Sequence, residues 1–132
     1  MRPQNWPELL HNHIASIKGL PFVWGENDCC TYTCDYIKLI TGTDPMEQFR
    51  GTYTSLKGSL QARKEWGSIR TNMRLHFEEI AVPMAQRGDA VIYVMDGEDA
   101  LGLCNGLNSY FLSPEGYVSV PTLECATAWR VK

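Results

Sequence analysis

The hydrophobic pattern of the chain changes near Gly88, and this change constrains the fold more than any other feature. Before Gly88, apolar residues recur at helical spacing in segments bounded by capping residues. After it, short β-branched and aromatic runs alternate with turn residues. Because helices precede strands instead of alternating with them, the sequence predicts an α+β fold in which N-terminal helices pack on a C-terminal antiparallel β-sheet.

Four helices are predicted from capping residues and apolar spacing. The first extends from a cap at Asn5 to a stop at Gly19, and the others cover residues 29–40, 56–66 and about 69–75. Asn27 and Asp28 precede the second helix as capping residues, so Cys29 falls in its first turn. The predicted strands are residues 90–94, 101–104, 110–112, 117–120 and 126–131, with a turn over residues 96–99. Tight turns are expected to link them as a meander.

The length and charge of the chain restrict its organisation and its partners. With 132 residues it is predicted to form one domain, in which residues 1–76 are the mainly helical half and residues 77–132 the sheet half. The net charge of −3 argues against nucleic acid as a partner. No run of 18 apolar residues occurs, so no membrane span is expected. The start lacks a signal-peptide pattern, which favours synthesis in the cytoplasm.

The five cysteines are expected to be reduced thiols, since their number is odd and Cys29 and Cys30 are adjacent. Cys30 and Cys34 lie four residues apart on one helix, and Cys104 or Cys125 could approach from the sheet to complete a thiolate metal site. No CxxC pair supports such a site. Buried structural thiols are therefore favoured, and no cofactor is expected.

Cys29 has a second interpretation because of its place at a helix start. Unpaired backbone N–H groups and the positive end of the helix dipole stabilise a thiolate there, which suits a nucleophile. The alternative is a small buried hydrophobic residue, since free cysteine is among the most buried residue types. Both interpretations remain open at this point.

Two segments carry a resemblance to a known family. Residues 21–29, PFVWGENDC, resemble the nucleophile motif of the NlpC family of papain-like cell-wall hydrolases, with Asp28 and Cys29 opening a helix. Residues 87–93, RGDAVIY, are similar to the Gly-Asp signature that begins that family's first core strand. The resemblance implies a papain-like NlpC-type fold with Cys29 in the nucleophile position.

A closer resemblance connects the chain with viral structures. Further segments resemble an NlpC-like group encoded in tail gene clusters of bacteriophages and prophages: residues 41–45, 49–53, 101–103 and 128–131. The resemblance implies a virion location in a phage tail, or a cytoplasmic prophage product. The implied partners are other tail proteins, such as tail hub, distal tail or tape-measure proteins.

The histidine that a cysteine hydrolase needs beside its sulfur is missing from the matching position. In the NlpC pattern that histidine stands two residues before a glycine which matches Gly102, and Ala100 occupies its place. The third polar member would fall near Leu112 or Ser113. His13, on the apolar side of the first helix, is the best alternative base, ahead of His11 and His76.

Three functions follow as expectations. The leading one is a non-catalytic tail-tip or tail-assembly component built on a hydrolase fold. The second is a cysteine endopeptidase that cleaves peptidoglycan with Cys29 and aids cell-wall penetration. The third is a structural protein with a thiolate-bound metal.

Overall fold

The computed structural model describes residues 2–132, apart from the Trp66 side chain. Its helices are α1 (Trp6–Ser16), α2 (Cys29–Thr41), α3 (Leu56–Trp66) and α4 (Ile69–His76). Short 3₁₀ turns cover Ile17–Gly19, Val82–Met84 and Thr122–Glu124. The strands are β1 (Glu78–Ile80), β2 (Ala90–Met95), β3 (Glu98–Cys104), β4 (Asn108–Ser113), β5 (Gly116–Pro121) and β6 (Thr127–Arg130).

The strands form one antiparallel sheet in the order β1-β6-β2-β3-β4-β5. Helix α2 packs on β3 and β4, and α1 packs on α2. The predicted α+β class is therefore confirmed, with N-terminal helices against a C-terminal antiparallel sheet.

Apolar clusters fill both sides of the sheet. On the helix side, Ile92, Leu101 and Leu103 pack with residues of α1, α2 and α4. On the opposite side, Val91 and Phe111 pack with side chains from the 3₁₀ turns and nearby loops. The sheet is thus buried on both faces near its centre.

The predicted strand connectivity is wrong at the C-terminal end. The last strand was expected to continue the meander beside β5, but β6 lies between β1 and β2. Thr127, Ala128 and Trp129 are all buried, so both faces of β6 are covered, which is the pattern of an interior strand. The register pairs Ala90 with Trp129.

Three local differences accompany this change. β1 was not predicted, since Glu78 and Glu79 give it a polar, exposed edge. Asn5 occupies the N-cap position of α1 without a side-chain capping bond. The turn after β2 is also shorter than predicted, because β3 already begins at Glu98.

None of the helices within residues 2–132 combines the length and hydrophobicity that crossing a lipid bilayer requires.

Candidate functional site around Cys29

The loop before α2 is shaped by Gly25. Its φ of +81° lies in the left-handed region that favours glycine, and a Cβ there would meet the Tyr53 carbonyl oxygen at 2.3 Å. The Gly25 carbonyl also accepts from the Gly51 N–H at 3.0 Å. The loop and the segment around Tyr53 are therefore held in close contact.

Asp28 fixes the start of α2 and is itself buried. Its Oδ1 accepts from the Thr31 N–H at 2.9 Å, and the Asp28 N–H donates to the Thr31 hydroxyl at 2.8 Å, which completes a capping box. Its Oδ2 accepts from the Gly25 N–H at 2.9 Å and from the Tyr53 hydroxyl. Burial and the Asp28 charge raise the pKa of Tyr53, so its phenol stays protonated and donates. Asp28 thus serves as a structural anchor.

Cys29 lies where β3 and β4 separate. These strands pair only at Leu103 with Tyr110 and at Cys104 with Ser109. In an antiparallel ladder every second residue turns its N–H and C=O towards the neighbouring strand, so Leu101 is the next residue of β3 that faces β4. Side chains of α2, not β4, form hydrogen bonds with its N–H and C=O. The Thr33 hydroxyl donates to the Leu101 carbonyl at 3.1 Å, and the Leu101 N–H donates to the Cys29 sulfur. Side chains of α2 thus replace the missing part of the β3–β4 ladder.

Phe111 of β4 packs on β3 beside this separation. A Cβ at Gly102 would lie 2.4 Å from two ring carbons of Phe111, so the ring packs directly on the glycine backbone. Cys29 lies next to this contact, beside Leu101, and packs against the apolar clusters on both sides of the sheet.

The sulfurs of Cys29 and Cys30 lie 3.7 Å apart. A hydrogen bond from the Cys30 thiol lowers the pKa of Cys29, and the Leu101 N–H and the Arg63 charge add to this effect. Burial and the Asp28 charge oppose it. The same hydrogen bond, together with burial, raises the pKa of Cys30. Cys29 is therefore the group of the pair that ionises first.

This pair is not suited to form a disulfide. Neighbouring Cα atoms are about 3.8 Å apart across a trans peptide, whereas disulfides usually join Cα atoms about 4.4–6.8 Å apart. All five cysteines are free thiols in the structure.

The other candidate catalytic residues form hydrogen bonds with groups other than the Cys29 sulfur, or form none through their side chain. His13 is on α1, where its Nε2–H donates to the Tyr32 carbonyl at 2.7 Å and its ring stacks on Tyr32 at 4.3 Å. Ala100 is a buried member of the apolar cluster against which Cys29 packs. Ser113 closes a hairpin turn by donating to the Gly116 carbonyl at 2.6 Å. The partners of His13 therefore belong to the α1–α2 contact.

The remaining cysteines form two groups on opposite sides of the sheet. Cys30 and Cys34 belong to the cluster under α2, and Cys104 and Cys125 belong to the cluster on the other face. Burial raises the pKa of Cys34, and that of Cys125 to about 11. Within residues 2–132, no group of three or more His, Cys, Asp or Glu side chains is arranged to hold a metal ion.

A small cavity of about 20 Å³ lies beside Cys30 and Cys34. Apolar side chains dominate its lining, including Met46, Phe49 and Met73, and Cys29 is not part of it. Its volume is close to the roughly 10–15 Å³ needed to hold a single water. This cavity has no room for a peptide substrate.

The Gly-Asp signature has a structural role. Asp89 is fully buried, and its carboxylate contacts Arg2 and Arg130 at 3.1 Å each. It also accepts from the N–H groups of Gln86 at 2.9 Å and Val131 at 3.1 Å. The signature therefore joins the two ends of the domain to the start of β2.

Sequence reasoning missed the residues elsewhere in the chain that act on the motif by hydrogen bonds or charge. Leu101, Tyr53 and Arg63 are brought to Cys29 and Asp28 by tertiary packing. For Arg63 no local pattern marks this role. Tyr53 and Leu101 lie in segments 49–53 and 101–103, which carry the tail-cluster resemblance, and this was the one available signal.

A comparison with curated protein sequences found no match to the chain. Residues 1–131 match a family model described as Domain of unknown function (DUF6950). Because this match spans almost all of the 132 residues, the chain belongs to that family.

Proposed function

We propose that the protein is a non-catalytic component of a bacteriophage tail, at the tail tip or in tail assembly, built on an NlpC-like hydrolase fold. The observation that carries this proposal is the set of contacts around Cys29. Its sulfur accepts from the Leu101 N–H and lies against Cys30, and Ala100 stands where the resemblance places the histidine. The sulfur is used as a structural acceptor.

The absence of a base at this position matters for the chemistry. A cysteine hydrolase needs a proton acceptor and later a proton donor within hydrogen-bond reach of the reacting atoms. The methyl side chain of Ala100 can neither accept nor donate a proton, and the Nε2–H of His13 donates to the Tyr32 carbonyl. A thiolate alone can be alkylated, but it cannot protonate the leaving amine of a peptide.

The tail assignment rests on the resemblance of the motif segments to tail-cluster proteins. In this proposal the protein is made in the host cytoplasm and becomes part of the virion. Its partners are the tail hub, distal tail or tape-measure proteins. The burial of Asp28 and Asp89 supports the view that the motif residues maintain a rigid scaffold.

The direct test is deletion of the gene from the phage or prophage that carries it, with complementation by the wild-type gene. We expect deletion to abolish infectious particles, complementation to restore them, and the protein to be found in purified virions. Absence of the protein from purified particles, or normal tails without it, would contradict the proposal.

A peptidoglycan endopeptidase is the second candidate, and the lowered pKa of Cys29 favours it. In that case Cys29 attacks a peptide carbonyl, and a residue of another tail protein supplies the histidine's role. Purified tails should then release muropeptides from peptidoglycan, while tails that contain Cys29→Ser should not. If neither preparation releases muropeptides, this candidate is rejected.

A further inference from the structure

Four sulfur-containing side chains line the small cavity beside α2: Cys30, Cys34, Met46 and Met73. All four are buried and belong to the same apolar cluster. The two cysteines lie on α2, and the methionines come from the turn that follows it and from α4. Three separate parts of the chain thus bring two thiols and two thioethers to one cavity.

Helix α2 places its two thiols on the same face, since Cys30 and Cys34 are four residues apart. Residues at this spacing have Cβ atoms about 5–6 Å apart. A bond between a thiolate and a metal ion is about 2.3 Å long, so an ion between two thiolates separates their sulfurs by at most about 4.6 Å. The spacing of the two cysteines is therefore compatible with one ion bound by both.

The size and lining of the cavity favour a single soft ion. Its volume of about 20 Å³ has room for one ion and none for a metal cluster. Among the described side chains that line it, none is Asp, Glu or His. Thiolate and thioether sulfurs prefer soft ions such as Cu(I), whereas calcium and magnesium require oxygen ligands. Zinc takes thiolate, imidazole or carboxylate ligands, and the cavity offers it only the two thiols.

Arg63 also lines the cavity, and its charge favours a monovalent ion. The hydrogen bond with Cys29 and burial raise the pKa of Cys30, whereas the Arg63 charge lowers it, so the guanidinium acts on this thiol electrostatically. Arg63 lies 3.9 Å from Glu98, which is half exposed, so that ion pair is weak. Two thiolates with one Cu(I) carry one net negative charge, which the guanidinium can neutralise in a buried site. A divalent ion would leave a net positive charge there.

We propose that this cavity binds one Cu(I) ion, which is held by the thiolates of Cys30 and Cys34 and the thioethers of Met46 and Met73. The inference does not depend on the proposed function. Binding displaces the two thiol protons to solvent, and the copper remains Cu(I), so no oxidant or reductant takes part. The site differs from the thiolate site expected from the sequence, because methionines take the place of the cysteines of the sheet.

The test is competition for Cu(I) between the full-length protein and the chromophoric chelator bicinchoninate, without oxygen. It compares the wild type with Cys34→Ala and with Met46→Leu/Met73→Leu, which removes both thioethers and conserves the apolar volume. Cys125→Ala is the matched control, since Cys125 is a buried cysteine in the cluster on the opposite face of the sheet. Circular dichroism confirms that each variant is folded, and X-ray absorption at the copper edge identifies the ligand atoms.

We expect the wild type to bind one Cu(I) per chain with sulfur ligands alone. Cys34→Ala should bind it at least about a hundredfold more weakly, since even a group that only supports a ligand can contribute about 10–100-fold to metal affinity. The double methionine variant should bind it about tenfold more weakly, and Cys125→Ala should match the wild type.

A wild type that takes no Cu(I) from the chelator would overturn the proposal. Equal affinities of Cys34→Ala and the wild type would place the ion elsewhere in the protein and exclude this site. Unchanged affinity in the double methionine variant would refute the assignment of the thioethers as ligands.

Discussion

At the scale of the residue, Cys29 provides a hydrogen-bond acceptor at the place where β3 and β4 separate. The Leu101 amide and carbonyl meet the Cys29 sulfur and the Thr33 hydroxyl instead of a neighbouring strand. Leu101 is buried, so its backbone groups would lose their partners if these side chains were removed. The cysteine at the start of α2 therefore has a role in stability.

We expect Cys29→Ala to lower the free energy of unfolding by about 1–3 kcal/mol, since it leaves the buried Leu101 N–H without an acceptor. Cys29→Ser should cost clearly less, because its hydroxyl oxygen can accept the same hydrogen bond. Urea unfolding monitored by circular dichroism measures both variants. Equal losses for alanine and serine would contradict the acceptor role.

Gly25 provides a second test at this scale. Gly25→Ala should destabilise the protein by more than the roughly 1–2 kcal/mol expected for a left-handed backbone alone, because its Cβ would also meet the Tyr53 carbonyl oxygen. Gly51→Ala is the matched control, since Gly51 has a φ of +72° and no atom within 4 Å of its Cβ position. Similar losses in urea unfolding for the two variants would show that the contact with Tyr53 does not matter.

At the scale of the element, α1 is fixed to α2 by reciprocal hydrogen bonds. His13 Nε2–H donates to the Tyr32 carbonyl at 2.7 Å, and the Tyr32 hydroxyl donates to the His13 carbonyl at 2.8 Å. Burial lowers the pKa of His13 below its ordinary value of 6.5, and this effect exceeds that of the hydrogen bond to Tyr32, which raises it. The contact is therefore built around a neutral imidazole.

The stability of the protein should depend on pH through His13. Its pKa is lower in the folded state, so the unfolded state binds the proton more readily, and stability is lost as the pH falls from about 6.5 towards the folded value. Urea unfolding of wild type, His13→Gln and His11→Gln at pH 7.5 and 5.5 measures this dependence. We expect the pH dependence of stability to be weaker in His13→Gln. His11 lies on the exposed side of α1, so His11→Gln should leave the pH dependence unchanged. An unchanged dependence in His13→Gln would exclude this role.

The sequence predicted the helices more accurately than the sheet, for a physical reason. Helix α2 is bounded by local signals, with the Asp28 capping box at its start and Gly42 at a φ of +80° at its end. Strand order depends on which distant segments are buried together, so the position of β6 was not evident from its neighbours in sequence. A three-residue edge strand such as β1 has too few apolar residues to give a pattern.

Only the local part of the candidate site could be predicted from the sequence. The place of Cys29 in the first turn of α2 follows from local signals and is confirmed. Its contact with Leu101 depends on where the pairing of β3 with β4 stops, next to the packing of Phe111 on Gly102. That packing joins residues of two strands that are distant from the helix in sequence. The sequence of α2 alone therefore could not predict it.

At the scale of the whole molecule, we propose that the motif residues of a hydrolase-like scaffold have become structural. Asp28 joins the loop of Gly25 to Tyr53, and Asp89 joins Arg2 to Arg130. These two buried carboxylates hold distant parts of the chain together. A scaffold of this kind suits a component that must keep its shape within a larger assembly.

Complementation of the gene deletion with Cys29→Ser distinguishes a structural Cys29 from a catalytic one. Serine can keep the hydrogen bond to Leu101 but removes the thiolate, so it separates the structural role from catalysis. We expect the variant to restore infectious particles to the wild-type level. Incorporation of Cys29→Ser into complete but non-infectious virions, together with peptidoglycan cleavage by wild-type tails alone, would contradict it.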